Sequence, residues 1–340
     1  MYRVILTSLF FLIANIGSSY SYIKSDDTAE RIEFQSLMGT QIWDRNQKEH
    51  TASGYLWMPD KEAFPGKRPL VILLPGMGGM GGRDNRMCSV FISNGIACFG
   101  ARVYPSRGVK RTKTNPSLRQ AGVASRLFDG YAALHHLTIR PDIEPNNAWL
   151  IGFSAGGLAA ALATYSEVTK PMITGEYDFR GFVNIYGGCP NVIGTEFKKE
   201  IQYHFFIGTA DVNFNEKACK EYEDKLQQSG VDYTYNIFRG SQFNRIGHQW
   251  DLPKKKGNGW VVRSDKSKWG NRGFGIYKCN LTFDFGNQEI IANGNSLAAP
   301  SDEEGFDFMF SECGIAGGTS TPRRKITKEV DEKLIGMILE

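Results

Sequence analysis

The sequence has little of what would assign it quickly to several large classes of protein. It has no tight cysteine or histidine–cysteine spacing of the kind that holds a metal, and no internal repeat. Its net charge of +4 is small for 340 residues and gives no concentrated basic face, which argues against nucleic acid as a partner. The one tight basic cluster near the middle, Pro253-Lys254-Lys255-Lys256, reads as a solvated loop. A glycine-rich stretch is present at residues 76–82, but no Gly-Lys-Ser/Thr ending follows it. Nor is there a dinucleotide fingerprint with an acidic residue at the required distance, so phosphate and dinucleotide cofactors are not expected. With 41% hydrophobic and 22% charged residues the composition is that of a globular protein and carries no signature of disorder.

The N-terminus has a single Arg3, an apolar stretch from Val4 to Ile16, then Gly17, Ser18, Ser19 and Ser21. That is the order of a secretory signal, with cleavage expected after Ser21, so that residues 1–21 are a signal peptide and 22–340 the working domain. The apolar stretch falls short of the roughly 20 residues of a membrane span. Export to a periplasmic or extracellular space makes disulfides plausible for the six cysteines. Cys88 and Cys98 can be either a helix-to-strand bridge or two buried thiols. Asn280-Leu281-Thr282 is a glycosylation sequon, relevant only in a host that glycosylates.

Between about residues 69 and 240, strand-like and helix-like segments alternate. Pro69–Leu74 is an apolar run typical of a strand buried on both faces, followed by a helix near Asn85–Asn94 and a strand at Ile96–Ala101. Leu118–Leu137 has helical periodicity, Ala148–Gly152 is a strand, and Ala155–Tyr165 is an alanine-rich helix. Strands at Gly181–Tyr186, Tyr203–Gly208 and Tyr233–Phe238 follow, with a helix at Asn215–Ser229 before the last. Ile32–Leu37 and Ser53–Met58 read as antiparallel edge strands, and Lys328–Leu339 as a terminal helix. The pattern predicts an α/β fold: a mostly parallel central sheet with helices on both faces. Residues 252–324 depart from it and are expected to be an elaboration near the rim of the site, stapled by Cys279–Cys313, with a terminal helix over 325–340.

The chemistry centres on Gly152-Phe153-Ser154-Ala155-Gly156, a G-x-S-x-G directly between a strand and a helix. Serine on such a sharp turn lifts its hydroxyl clear of the sheet, and side chains at the flanking glycines would clash. A serine nucleophile needs a base, and on sheets of this kind the partners follow in the order serine, acid, histidine. Of the five histidines, His50, His135 and His136 come too early, and His204 opens a strand. His248, in a loop beyond the last predicted strand, is the candidate base. Asp211, just past the carboxyl end of the preceding strand, is the candidate acid; Asp178 and Asp232 lie at the wrong strand ends. Two backbone N–H donors would complete an oxyanion hole, one from Ala155 and the other from Met77 in the glycine-rich loop Pro75–Gly82.

Over roughly residues 65–252 these segments resemble the dienelactone hydrolase family of the α/β-hydrolases. The likeness lies in Gly152–Gly157 at the nucleophile turn, Ile207–Asp211 at the acid loop, Gly247-His248-Gln249-Trp250-Asp251 at the histidine loop, and Tyr104–Gly108 as an Arg-Gly element. The resemblance implies an exported serine hydrolase that cleaves a small-molecule carboxylic ester through an acyl-enzyme, without a cofactor. It also implies a Cys189–Cys219 bridge, which the topology independently permits. Arg107 is then either a contact for an anionic substrate group or part of a structural ion pair, and Trp250 is a second candidate substrate contact. The sequence departs from the family in carrying Pro75-Gly76 where His-Gly is usual, and serine where the founding members carry cysteine, which makes dienelactone a poor fit as substrate. Two other readings compete. A prolyl-oligopeptidase-like peptidase would usually need an N-terminal propeller, for which there is no room. A non-catalytic binding relative typically lacks a member of the triad.

Overall fold

The structure is a computed structural model; it describes residues 29–38, 42, 48–109, 121–209, 211, 214–238, 260–262, 281–313, 318–320 and 324–340. The first two strands, β1 (Glu30–Leu37) and β2 (Glu49–Trp57), pair antiparallel with Glu30 opposite Leu56 and Leu37 opposite Glu49. In β1 the side chains of Ile32, Phe34 and Ser36 are buried in alternation with exposed neighbours, the two-residue period of a strand with one face on a core. Next come β3 (Arg68–Leu74), α1 (Gly82–Ile92), β4 (Ala97–Ala101), α2 (Val123–Thr138), β5 (Ile143–Phe153), α3 (Ala155–Leu162) and the short α4 (Ser166–Thr169). The chain continues through β6 (Gly181–Ile185), β7 (Asn191–Ile193), β8 (Gln202–Gly208), α5 (Glu216–Ser229) and β9 (Asp232–Phe238).

Eight strands form the main sheet in the order β1-β2-β4-β3-β5-β6-β8-β9. From β4 to β9 every neighbouring pair is parallel. Leu70 to Leu74 are fully buried, as a strand covered on both faces requires. That the helices lie on both faces follows from β4. Cys98 is bridged to Cys88 of α1, while the adjacent Phe99 stacks edge-on with Phe34, which in turn meets His136 of α2. Successive strand residues point to opposite faces, so α1 and α2 lie on opposite sides. α3 and α5 meet through Tyr222, whose hydroxyl donates to the Ala161 carbonyl at 3.4 Å.

The region expected to be an elaboration contributes a second sheet. β11 (Leu281–Asp284), β12 (Glu289–Ala292) and β13 (Asn295–Ala298) form a meander, and β11 pairs in parallel with β7. β10 (Trp260–Val262) pairs with β14 (Gly318–Ser320), α6 spans Asp302–Cys313 and α7 spans Arg324–Leu339. Arg86 of α1 grips Asp331 of α7 through two hydrogen bonds of 2.9 Å, which ties the C-terminal helix to the sheet.

Differences from the expected elements are local. β5 starts five residues before the expected Ala148, because the polar run Glu144-Pro145-Asn146-Asn147 continues the strand without an apolar signal. β7 was not expected, since three residues paired to a strand about 90 positions away carry no local pattern. α2 begins at Val123; the expected start at Leu118 lies outside the described residues. So do the signal segment, Asn280 and Cys279, together with the side chain of Cys313.

Candidate active site

β3 and β5 are neighbours, but the chain leaves them in opposite directions, towards β4 and towards β6. A crevice opens at the carboxyl ends of two such strands, which is where ligands collect in sheets of this kind. The glycine-rich loop follows β3 and Ser154 follows β5, so both come to that crevice.

Ser154 has φ 53° and ψ −114°, a backbone conformation that a non-glycine residue adopts only under strain. Its amide donates to the Ile185 carbonyl at 2.9 Å and its carbonyl accepts from Leu158 at 2.8 Å, so the turn is clamped from both sides. The flanking glycines are there for space. A Cβ on Gly152 would sit 1.9 Å from the Gly156 carbonyl oxygen, and one on Gly156 would sit 2.2 Å from the Leu74 carbonyl oxygen. Ser154 and Ala155 are half-buried within an otherwise buried segment. The first N–H groups of a helix have no partner within it, and the helix dipole adds positive potential there.

The loop after β3 lies directly against this turn. A Cβ on Gly76 would be 3.2 Å from the Phe153 carbonyl oxygen and 3.4 Å from the Ser154 Cβ. The loop is closed by the Gly79 amide donating to the Gly76 carbonyl at 3.0 Å, and Met77 at its head is half-buried.

Asp211 follows β8 and is 4% exposed. Its amide donates to the Gly208 carbonyl at 2.9 Å, and its carbonyl accepts from Phe214 at 3.0 Å. Four residues after Asp211, the Asn215 side chain caps α5 by accepting from the Ala218 amide. Cys219, in that first stretch of α5, is bonded to Cys189 just beyond β6, with Cα atoms 5.0 Å apart. The bridge therefore pins the start of α5, and with it the Asp211 loop, to the neighbouring strand end. Tyr235 of β9 lies beside the bridge, its hydroxyl donating to the Cys219 carbonyl at 3.2 Å. Burial pushes the phenols of Tyr203, Tyr222 and Tyr235 up, so this cluster under the bridge stays neutral.

His248 and Trp250 lie outside the described residues. The strand that leads to them does not: β9 ends at Phe238, whose carbonyl accepts from Thr209 at 3.1 Å, two residues before Asp211.

Arg107 is among the described residues. It ends a 3-10 turn, Pro105–Arg107, and its guanidinium is bonded twice to Asp129 of α2 at 2.6 and 3.0 Å. With side chains 4% and 2% exposed, the two are a buried ion pair, and Ser36 donates to the same carboxylate. Of the two roles left open for Arg107, the structure shows the ion pair. Cys88 and Cys98 are likewise resolved, as a bridge.

Three features were missed. Arg83, at the start of α1, sits 4.1 Å from the Phe153 ring centre and donates to the Tyr186 hydroxyl and to Asp84, each at 2.6 Å. Asn184 holds the turn after β6, accepting from the Gly187 amide at 2.7 Å and donating to Gly188 at 2.8 Å. Arg126 is fully buried under the glycine-rich loop. No group of three or more His, Cys, Asp or Glu side chains that could hold a metal occurs among the described residues. No helix among them is long and apolar enough to cross a membrane.

Strand order, the strained serine turn and the buried acid after the penultimate parallel strand define an α/β-hydrolase fold. Residues 52–249, more than half of the chain, match the sequence model of the dienelactone hydrolase family, and the chain belongs to that family. No curated protein matches the sequence. Among solved structures, the chain is similar to a dienelactone hydrolase-like promiscuous phosphotriesterase from metagenomic libraries, at 17% identity and TM-score 0.49 over 67% of this chain and 86% of that one. It is also similar to a dienelactone hydrolase of Klebsiella pneumoniae (13% identity, TM-score 0.40, 63% and 86% covered). A third is a carboxylesterase of Lactobacillus plantarum (13% identity, TM-score 0.44, 63% and 84% covered).

Proposed function

We propose that this hydrolase cleaves a small-molecule carboxylic ester through a covalent acyl-enzyme formed on Ser154, with His248 as general base and acid and Asp211 as the residue that orients it. The observation that carries the reading is the left-handed backbone of Ser154 at the β5–α3 turn, packed against Gly76 of the glycine-rich loop. Strain of that kind clusters at functional sites. Ser154 Oγ attacks the ester carbonyl as His248 takes its proton, and the negative charge on the carbonyl oxygen develops between the amides of Met77 and Ala155. His248 returns the proton to the departing alcohol, then activates water to release the acid. Asp211 holds the imidazole tautomer and stabilises the imidazolium. The departure of the chain from β9 beside Thr209 supports bringing His248 back to the Asp211 loop.

Export belongs to the same proposal. The N-terminal signal pattern sends the mature chain to a periplasmic or extracellular space, and the two disulfides among the described residues suit an oxidising compartment. A panel of esters varied in acyl length and charge, run on the wild type and on Ser154→Ala, tests the activity. Hydrolysis that disappears in the variant, with the fold retained, is the expected result. Equal rates in both proteins would refute it.

A further inference from the structure

The guanidinium of Arg126 is fully buried, and all five of its N–H donors have acceptors. Nε donates to the Pro75 carbonyl at 2.9 Å, and Nη2 donates to the Gly76 carbonyl at 3.1 Å and to the Tyr104 hydroxyl at 2.9 Å. Nη1 donates to the Gly122 carbonyl at 2.7 Å and to the Ala121 carbonyl. None of these acceptors is a carboxylate. The nearest acid on the same helix, Asp129, is taken up by Arg107. Arg126 is thus a buried cation held by neutral dipoles, with no counter-ion among the described residues. Burying an unpaired charge is costly, and a purely structural link between loop and helix could be made by neutral side chains at lower cost.

Its position suggests what the charge does. The described peptide bonds are all trans, so the carbonyl of Gly76 and the amide of Met77 point in opposite directions. Arg126 Nη2 and the Gly79 amide both pull on that carbonyl, and Arg126 Nε holds the carbonyl before it. With its carbonyl drawn to the guanidinium, the Gly76–Met77 peptide must present the Met77 N–H on the opposite side. Among the described residues that N–H has no acceptor. Gly76 itself touches the Ser154 turn.

We propose that Arg126 is the positioning residue of the oxyanion hole. It sets the direction of the Met77 N–H, and its uncompensated charge, relayed through that peptide, favours negative charge in the crevice. The proposal rests on the ester-hydrolase reading for its catalytic consequence, but not for the orientation of the loop. Arg126 touches no substrate and acts only through the loop.

The test uses Arg126→Met, Arg126→Lys and Tyr104→Phe, each assayed for kcat and KM on a good ester substrate and for inhibition by a trifluoromethyl ketone, which forms an oxyanion on the serine. Losing one well-placed oxyanion donor costs about 10²–10³-fold in kcat, and a misdirected Met77 amide should approach the lower figure. Arg126→Met is expected to lose about 100-fold in kcat and in ketone affinity with KM within about threefold, because the contact is made only in the charged state. Arg126→Lys keeps the charge but not the fork and should lose about tenfold; Tyr104→Phe should lose a few-fold. A merely structural role would leave the ratio of ketone Ki to KM unchanged, and that result overturns the proposal. Should Arg126→Met not fold, Arg126→Lys decides by the same ratio. If wild type and Ser154→Ala hydrolyse esters equally, the ester reading fails. Amide hydrogen exchange then decides the loop orientation alone. Exchange at Gly79 faster by about tenfold in Arg126→Lys upholds it, and wild-type exchange overturns it.

Discussion

Two glycine-to-alanine changes should have opposite outcomes, for reasons that can be worked from the structure. At Gly156 the added Cβ would stand 2.2 Å from the Leu74 carbonyl oxygen, 2.8 Å from its carbon and 2.9 Å from the Pro75 oxygen, all of them backbone. Relieving the shortest of these to an ordinary contact of roughly 3.4 Å moves the end of β3 away from α3 by about 1.2 Å. Overpacking of that kind costs about 1–3 kcal/mol of stability. The same displacement shifts the glycine-rich loop relative to Ser154, and a misplacement of about 1 Å at a reacting centre costs about 100-fold in rate. At Gly336, exposed within α7 with nothing near its Cβ position, alanine should instead stabilise by about 0.5–1 kcal/mol and leave activity unchanged. Urea unfolding gives the stabilities and ester hydrolysis gives kcat. A Gly156→Ala protein with wild-type stability and wild-type kcat would refute the packing argument.

Other expectations follow from the same geometry. Ser154→Gly relieves a backbone strain of about 1–3 kcal/mol, so the variant should unfold at higher urea than Ser154→Ala while being equally inactive. Removing the Cys189–Cys219 bridge, which closes a separation of 30 residues, should cost roughly 3–4 kcal/mol in chemical unfolding and lower kcat through the loosened Asp211 loop; unchanged kcat would detach the bridge from the site. Burial holds the pKa of His204 at about 4, against 6.5 for a free histidine, so the unfolded chain binds the extra proton first. Stability should therefore be unaffected by this group above pH 6.5 and should fall as the pH drops from 6.5 towards 4, by up to about 3 kcal/mol. His204→Asn should flatten that slope in unfolding measured across the range, and an unchanged slope would assign the loss to other groups.

Much of the scaffold can be read from the residues because its signals are local. An apolar run such as Leu70–Leu74, or a helix capped by Asn215, announces itself within a few positions. The serine turn is legible for the same reason at Gly152, whose Cβ would meet Gly156 and Gly157, whereas the need for glycine at Gly156 comes from the distant Leu74 and Pro75. Features made by distant pairings are not. β7 exists only because Thr282 lies opposite Asn191. The ion pair of Arg107 joins it to Asp129, 22 positions away, and has no local signal. Arg126 carries no sequence signal at all, because a helical arginine next to Leu127 is ordinarily solvated, and only the carbonyls of Pro75 and Gly76 folding onto it reveal its place.

Covalent labelling decides whether Ser154 is a nucleophile activated by His248. The wild type, His248→Ala and Ser154→Ala proteins are treated with a fluorophosphonate, and the adduct is located by peptide mass spectrometry. One adduct on Ser154, formed at least about 100-fold more slowly in His248→Ala and absent from Ser154→Ala, is the predicted result. An unlabelled wild type, an adduct elsewhere, or labelling of His248→Ala at the wild-type rate would contradict it.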